Sequence, residues 1–240
     1  MLKLIHADLY KVFHRTYFYI LTLIVAALSL VIVFALHGSA QSSKVSVAFQ
    51  FAFQYVSLAV MILPCLTDIV LNEDFREHTM KNTLSYGTGR LALYASKMVA
   101  SIILGVLMMA VVLAVYVGGS MVVLSHDAGL TSTFVNEFMM RMGTAGVVFI
   151  ASLAMASFFS TLFHHNSLWI VFFYGGFFFT DLLLKLFRLS GAVPYLLKSQ
   201  LTVASGQPVD QLLKAVVISL VTLVVFFAAG AEIFCKKDIC

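Results

Sequence analysis

Charge is what this chain most lacks. Only 11% of its residues are Asp, Glu, Lys or Arg, while 61% are hydrophobic; an ordinary soluble domain has about 25% charged residues. A chain so poor in charge cannot cover a water-facing surface with polar groups, so a soluble globular class is excluded. Cysteine is scarce too: Cys65 falls inside an apolar run, and Cys235 and Cys240 flank Lys236-Lys237. That pattern contains no C-x-x-C and no disulfide framework. No glycine is followed by lysine, so a G-x-x-x-x-G-K-[ST] phosphate cradle cannot form. The metalloprotease H-E-x-x-H and the nucleophile elbow G-x-S-x-G are also missing. The adjacent pair His164-His165 would point about 100° apart on a helix and is poorly placed to share one metal. The net charge of +4 is too small and too scattered for nucleic acid. The chain therefore reads as a non-enzyme with no catalytic residue, metal or cofactor of its own.

What is present is a series of apolar runs. A membrane-spanning helix needs roughly 20 apolar residues, and mean hydropathy is +1.00. The runs are continuous rather than alternating, which argues against a β-barrel. The expected fold is all-α: one polytopic membrane domain, 1–240, with six spans at about 17–36, 49–71, 97–124, 138–163, 167–184 and 214–234. The first run is longer than the apolar core of a signal peptide, although Gly38-Ser39-Ala40 resembles a cleavage site. Before it, residues 1–16 carry an amphipathic pattern. Leu2, Ile5, Leu9, Val12 and Phe13 follow helical spacing, with Lys3, His6, Asp8, Lys11 and Arg15 elsewhere on the wheel. Such a helix lies in the membrane interface with its cations at the headgroups.

Within the spans, Pro64 should kink span two and Asp68 must find protein, water or the interface. Ala110, Ala114 and Gly118 in span three, and Ser152, Ala156 and Ser160 in span four, repeat at i, i+4, i+8. Small residues at that spacing let helix backbones approach closely, within the subunit or between two subunits, most simply within it. The aromatic run 172–179 of span five reads as lipid-facing bulk around a flexible Gly175-Gly176 point. Segment 185–213 mixes Lys185, Arg188, Pro194, Lys198 and Pro208 among apolar residues and reads as interfacial or re-entrant helices. With the N-terminus inside, the inside segments hold Lys3, Lys11, Arg15, Arg76, Lys81, Arg90, Lys97, Lys236 and Lys237, against Lys44, Arg141, Lys185, Arg188, Lys198 and Lys214 outside. That bias places both termini in the cytoplasm.

The one strongly charged stretch is 72–96, between spans two and three. It holds Glu73, Asp74, Arg76, Glu77, His78, Lys81 and Arg90, keeps a helical rhythm through Thr83, and breaks at Gly87-Thr88-Gly89. Glu73, then His78-Thr79-Met80-Lys81, Leu84-Ser85, Gly89-Arg90 and Lys97 resemble the loop of ABC-2 type permease subunits of bacterial peptide-immunity and drug-export systems. That loop commonly reads as an acid, Gly-Thr-x-Lys, Leu-Ser, Ser-Arg and a Lys opening span three; His78 and Gly89 depart from it. The N-terminal Ile5-His6-Ala7-Asp8-Leu9-Tyr10-Lys11-Val12-Phe13 is similar to that family's amphipathic first helix, with the acid and lysine at the same spacing. The resemblance implies a permease pair, homo- or heterodimeric, in the bacterial cytoplasmic membrane. It also implies two ATP-binding subunits that carry ATP and Mg2+ and receive 72–96 as a coupling helix. The cargo it implies is an amphipathic peptide or drug. The alternatives are a non-transporting sensor or immunity subunit and a secondary transporter; for the latter, ionisable groups at mid-span are nearly missing, since Asp68, Glu137, Arg141, Asp181 and Glu232 all lie near span ends.

Overall fold

The computed structural model describes residues 1–38, 44–76, 79–85, 87–125, 131–163, 168–206 and 211–236. Among them the chain is helical apart from short turns and connections and one isolated bridge between Lys44 and Ser125. A short helix α1 (Leu2–Phe13) precedes α2 (Thr16–Gly38) and α3 (Val45–Thr67). A π-helical turn (Asp68–Asn72) runs on into α4 (Glu73–Arg76), followed by α5 (Thr79–Ser85), α6 (Arg90–Val123) and α7 (Ser132–Leu162). Helix α8 (Leu168–Tyr174) passes through a second π-helical turn (Gly175–Phe179) into α9 (Thr180–Leu186). A 3-10 turn (Ser190–Tyr195), α10 (Leu197–Gly206) and α11 (Leu212–Lys236) complete the chain.

Five helices among the described residues are long and apolar enough to cross a membrane: α2, α6, α7, the α8–α9 unit and α11. The chain is thus a multi-pass membrane protein. The remaining expected span, 49–71, overlaps the 23-residue α3 and ends in the π-helical turn after it; some side chains of α3 lie outside the described set. Its Pro64 sits within the helix, and the π-helical turn begins four residues later, so the irregularity is taken up one turn past the proline.

Helix α7 is the most buried of the five and is packed by α3, α8, α10 and α11, while α6 carries α1, α2 and α3. The core between them holds Val56, Leu63, Leu104, Met108, Phe149, Leu153, Trp169 and Phe173. The two small-residue stripes part company. Ser152, Ala156 and Ser160 are wholly buried on α7, whereas Ala110, Ala114 and Gly118 lie on the exposed face of α6. The buried face of α6 is instead Ser101, Gly105, Met108, Val112, Tyr116 and Ser120. The expectation of within-subunit packing by the α6 stripe is therefore corrected. Gly105 touches Phe149 and Leu153 closely, and larger side chains fill the rest of that seam.

The aromatic run also divides. Phe173 and Phe177 are core residues, while Phe172 and Phe179 face outward. Gly176 is a contact point with α7, where an added Cβ would come within 2.7 Å of the Met155 methyl; it is not a free hinge. Segment 185–213 contains no further span among its described residues. Helix α10 buries Leu197, Gln200, Leu201 and Ala204 against α7 and α11. Lys198 fixes it to α9 through Asp181 and to the second π-helical turn through the Phe178 carbonyl, both at 3.1 Å.

Candidate coupling site

Helix α6 is 34 residues long, about 51 Å at 1.5 Å per residue, well beyond a hydrocarbon layer of about 30 Å. The helix is therefore longer than the apolar layer it would cross, and Lys97 lies about 10 Å from its start. Around Lys97 three elements meet. Its ammonium donates to Asp8 on α1 at 3.1 Å, to the Val70 carbonyl in the π-helical turn at 3.2 Å, and to Asp74 on α4. Lys97 is only 2% exposed, so these three acceptors supply the solvation that water would otherwise give.

A second layer surrounds that contact. Lys11 pairs with Asp74 at 2.5 Å and reaches Glu73 at 3.9 Å. Arg15 pairs with Glu73, which also accepts from the Tyr17 hydroxyl at 3.1 Å. Three acids (Asp8, Glu73, Asp74) and three bases (Lys11, Arg15, Lys97) thus neutralise one another. Helical spacing explains part of the set: Asp8 and Lys11 fall on one face of α1, with Arg15 just beyond its end, while Lys3, His6 and Tyr10 are exposed. Lys11 and Arg15, expected to reach the headgroups from an interfacial helix, pair instead with Asp74 and Glu73, and Asp8 pairs with Lys97. Asp8 is pushed above its ordinary carboxylate value by burial, only partly offset by Lys97, and its second oxygen is buried without a hydrogen bond among the described residues. At Asp74 burial pushes the same way, but Lys97 and Lys11 outweigh it and hold the carboxyl below its ordinary value.

The other side of the segment is aromatic. Phe75 meets Phe234 of α11 edge-on at 5.9 Å, and Phe234 packs on Tyr94 at 5.5 Å. Gly230 lets Tyr94 approach α11, and Arg90 donates to the Cys235 carbonyl at 2.8 Å. Deeper in, Ser160 donates to Asn72 at 2.8 Å, and Asn72 donates to Asp68 at 3.2 Å. The segment is thus gripped by α1 and α6 on one side and by α11 on the other, and ends in an exposed turn where Gly87 has φ +81°, a conformation that favours glycine.

Of the coupling residues expected from the sequence, Glu73, Asp74 and Arg90 are brought together at this end of the bundle. Glu73 and Asp74 are buried and spend their charge inside the chain. Glu77 and His78 lie outside the described residues, as do the side chains of Arg76 and Lys81 and the pair His164-His165. Sequence reasoning passed over Lys97 and Tyr17 as site residues. The signal for Lys97 was available: a lysine opening an apolar run needs a carboxylate or carbonyl partner.

The family model of the ABC-2 family transporter protein matches residues 4–180. The chain belongs to the ABC-2 transporter family. The match spans every residue of the ion cluster and stops within α9. No curated protein matches the chain. Membership makes this ABC-2 protein a transporter membrane subunit of the permease type.

Proposed function

We propose that this ABC-2 subunit is the permease of an ATP-driven exporter in the bacterial cytoplasmic membrane, with six spans, α3 being the sixth, and both termini in the cytoplasm. Two separate ATP-binding subunits, carrying ATP and Mg2+, dock on the coupling segment, and a second permease subunit completes the pathway. One observation carries the reading. The segment between α3 and α6 is packed between α1, α6 and α11, so a push on its exposed turn is delivered to three helices at once. The docking surface is the end of that segment at the exposed positions Ser85, Gly87, Gly89 and Arg90, because Glu73 and Asp74 are occupied internally. Charged groups on that side set orientation and partner choice more than affinity. The cargo is amphipathic or lipophilic, a peptide or drug. An apolar cavity of about 240 Å³ between α2, α3 and α6, lined by Val25, Ile32, Ala59, Ile62, Met108 and Val112, supports that choice.

The test uses Ser85→Cys, at an exposed position, in a chain whose Cys65, Cys235 and Cys240 are replaced by serine. The expected result is a cross-link to a co-expressed ATP-binding subunit and protection from impermeant maleimide in intact cells. Labelling of Ser85→Cys from the outer face overturns the proposal.

A further inference from the structure

We propose that the end of the bundle opposite Lys97 carries a binding site for a lipophilic amine, a protonated amine on an alkyl or aryl body, held between Glu137 and a set of phenylalanine rings. The site is a cavity of about 360 Å³ lined by Phe49 and Gln50 of α3, by Phe134, Glu137, Phe138 and Arg141 of α7, and by the last residues of α10. Its place in the fold follows from helix direction. Phe49 and Glu137 stand within the first two turns of α3 and α7, whereas the far end of α7 meets the coupling segment through Ser160 and Asn72. The cavity shares no lining residue with the apolar one between α2, α3 and α6.

The charge of the cavity is set by how one ion pair is built. Arg141 donates twice to Glu137, from Nε at 3.0 Å and from Nη2 at 2.6 Å, and both bonds end on Oε1. Its third contact, from Nη1, goes to the Ala204 carbonyl on α10 at 3.4 Å. The other carboxylate oxygen, Oε2, accepts no hydrogen bond among the described residues. The partners are also unequally covered: the Arg141 side chain is 14% exposed and that of Glu137 is 44% exposed. A ligand entering the cavity therefore meets the carboxylate before the guanidinium, and meets an oxygen still open to a donor. An ammonium there makes a charge-assisted hydrogen bond, which is stronger than a neutral one. A ligand carboxylate would be repelled by Glu137 and would have to displace it from Arg141. The rest of the wall fits an apolar body. Phe138 meets Phe49 edge-on at 4.8 Å, and Phe134 lies 6.1 Å from Phe49, which is rooted in a small core with Val45, Ala52 and Tyr116. These rings supply apolar area for an alkyl or aryl group and attract a cation at their faces. A few convergent polar groups in a mostly aromatic cavity is the usual make-up of a small-molecule site. For the cargo of the proposed exporter this assigns a positive charge; that step rests on the export reading, while the binding is a property of this chain alone.

The experiment places the full chain in nanodiscs of zwitterionic phosphatidylcholine and titrates it with dansylcadaverine, a primary ammonium on an alkyl-aryl body. Its N-acetyl and carboxylate analogues serve as neutral and anionic counterparts. Binding is read as saturable dansyl anisotropy above that of empty nanodiscs. The expected result is saturable binding of the ammonium probe alone, weakened about tenfold by Glu137→Gln and less by Phe138→Leu. A second measurement keeps Glu137 and so does not depend on that variant folding. In the cysteine-replaced chain, Ser205→Cys at the cavity wall should be shielded from maleimide by the probe, while Ser85→Cys at the other end of the bundle is labelled at an unchanged rate. Equal binding of the N-acetyl analogue overturns the proposal, since the cavity then selects only an apolar body. Preference for the carboxylate analogue overturns it in favour of an anion site at Arg141. Undiminished binding to folded Glu137→Gln, or undiminished labelling of Ser205→Cys at saturating probe, also overturns it. Absence of saturable binding to the native chain does the same and leaves the docking proposal standing, because no ATP-binding subunit takes part.

Discussion

Replacing Lys97 with methionine removes the charge shared by three elements and keeps most of the volume. The ammonium is 2% exposed, and its partners Asp8 and Asp74 have side chains 16% and 13% exposed. Deleting one member of a buried pair costs about 3–5 kcal/mol, most of it the penalty of the charge left behind. Two features draw the value to the low end. Asp74 retains Lys11, and Asp8, already shifted upward by burial, can neutralise itself by taking a proton. The expected loss is about 3 kcal/mol, on the order of a hundredfold in the unfolding constant. Reversible denaturant titration in mixed micelles measures it. Adding Asp8→Asn to Lys97→Met should recover part of the loss, with a coupling of about 1–2 kcal/mol between the sites. A loss under about 0.5 kcal/mol, the size of an exposed pair, refutes the reasoning, because the cluster would then be solvated.

Three further predictions concern packing and pH. Gly230→Ala places a Cβ on the Tyr94 hydroxyl, inside the aromatic contact with α11, and should cost about 1–3 kcal/mol; Gly176→Ala clashes with the flexible end of Met155 and meets the Phe159 ring at ordinary contact distance, and should cost under about 1 kcal/mol. Tyr94→Phe should be neutral or stabilising, since the hydroxyl is buried without a partner among the described residues. Unfolding titrations of the three variants check this set. Ala114→Leu, on the exposed face of α6, should change subunit stability by less than about 0.5 kcal/mol, whereas Ala156→Leu, wholly buried, should cost about 1–3 kcal/mol; thermal unfolding in detergent separates the two. For pH, Asp8 lies above the ordinary value of 3.8, so the folded chain takes its proton first and stability rises slightly as pH falls toward 3.8. Asp74, held below 3.8 by Lys97 and Lys11 against the push of burial, contributes stability above 3.8 that is lost as pH falls through its lowered value. Unfolding midpoints against pH should lose the first limb in Asp8→Asn and the second in Asp74→Asn.

The sequence by itself determined the class and the order of elements. Hydrophobic run length is a one-dimensional property, set by bilayer thickness, and it places α2, α6, α7, α8–α9 and α11 close to where they are found. Gly87-Thr88-Gly89 marks the turn before α6 because glycine tolerates the positive φ that ends the segment. What only the tertiary structure decided is which face of each helix meets which neighbour. Two stripes with the same small-residue spacing, on α6 and α7, have opposite fates, because in a membrane both lipid and protein neighbours are apolar and spacing alone does not tell them apart. The cations of α1 are expected from the sequence at the headgroups and the acids of 72–96 in a docking segment, yet Asp8, Lys11, Arg15, Glu73 and Asp74 form one cluster around Lys97. Opposite charges far apart in sequence carry no record of their partners: Asp8, Asp74 and Lys97 find one another only because α1, α4 and the start of α6 are folded to the same end of the bundle.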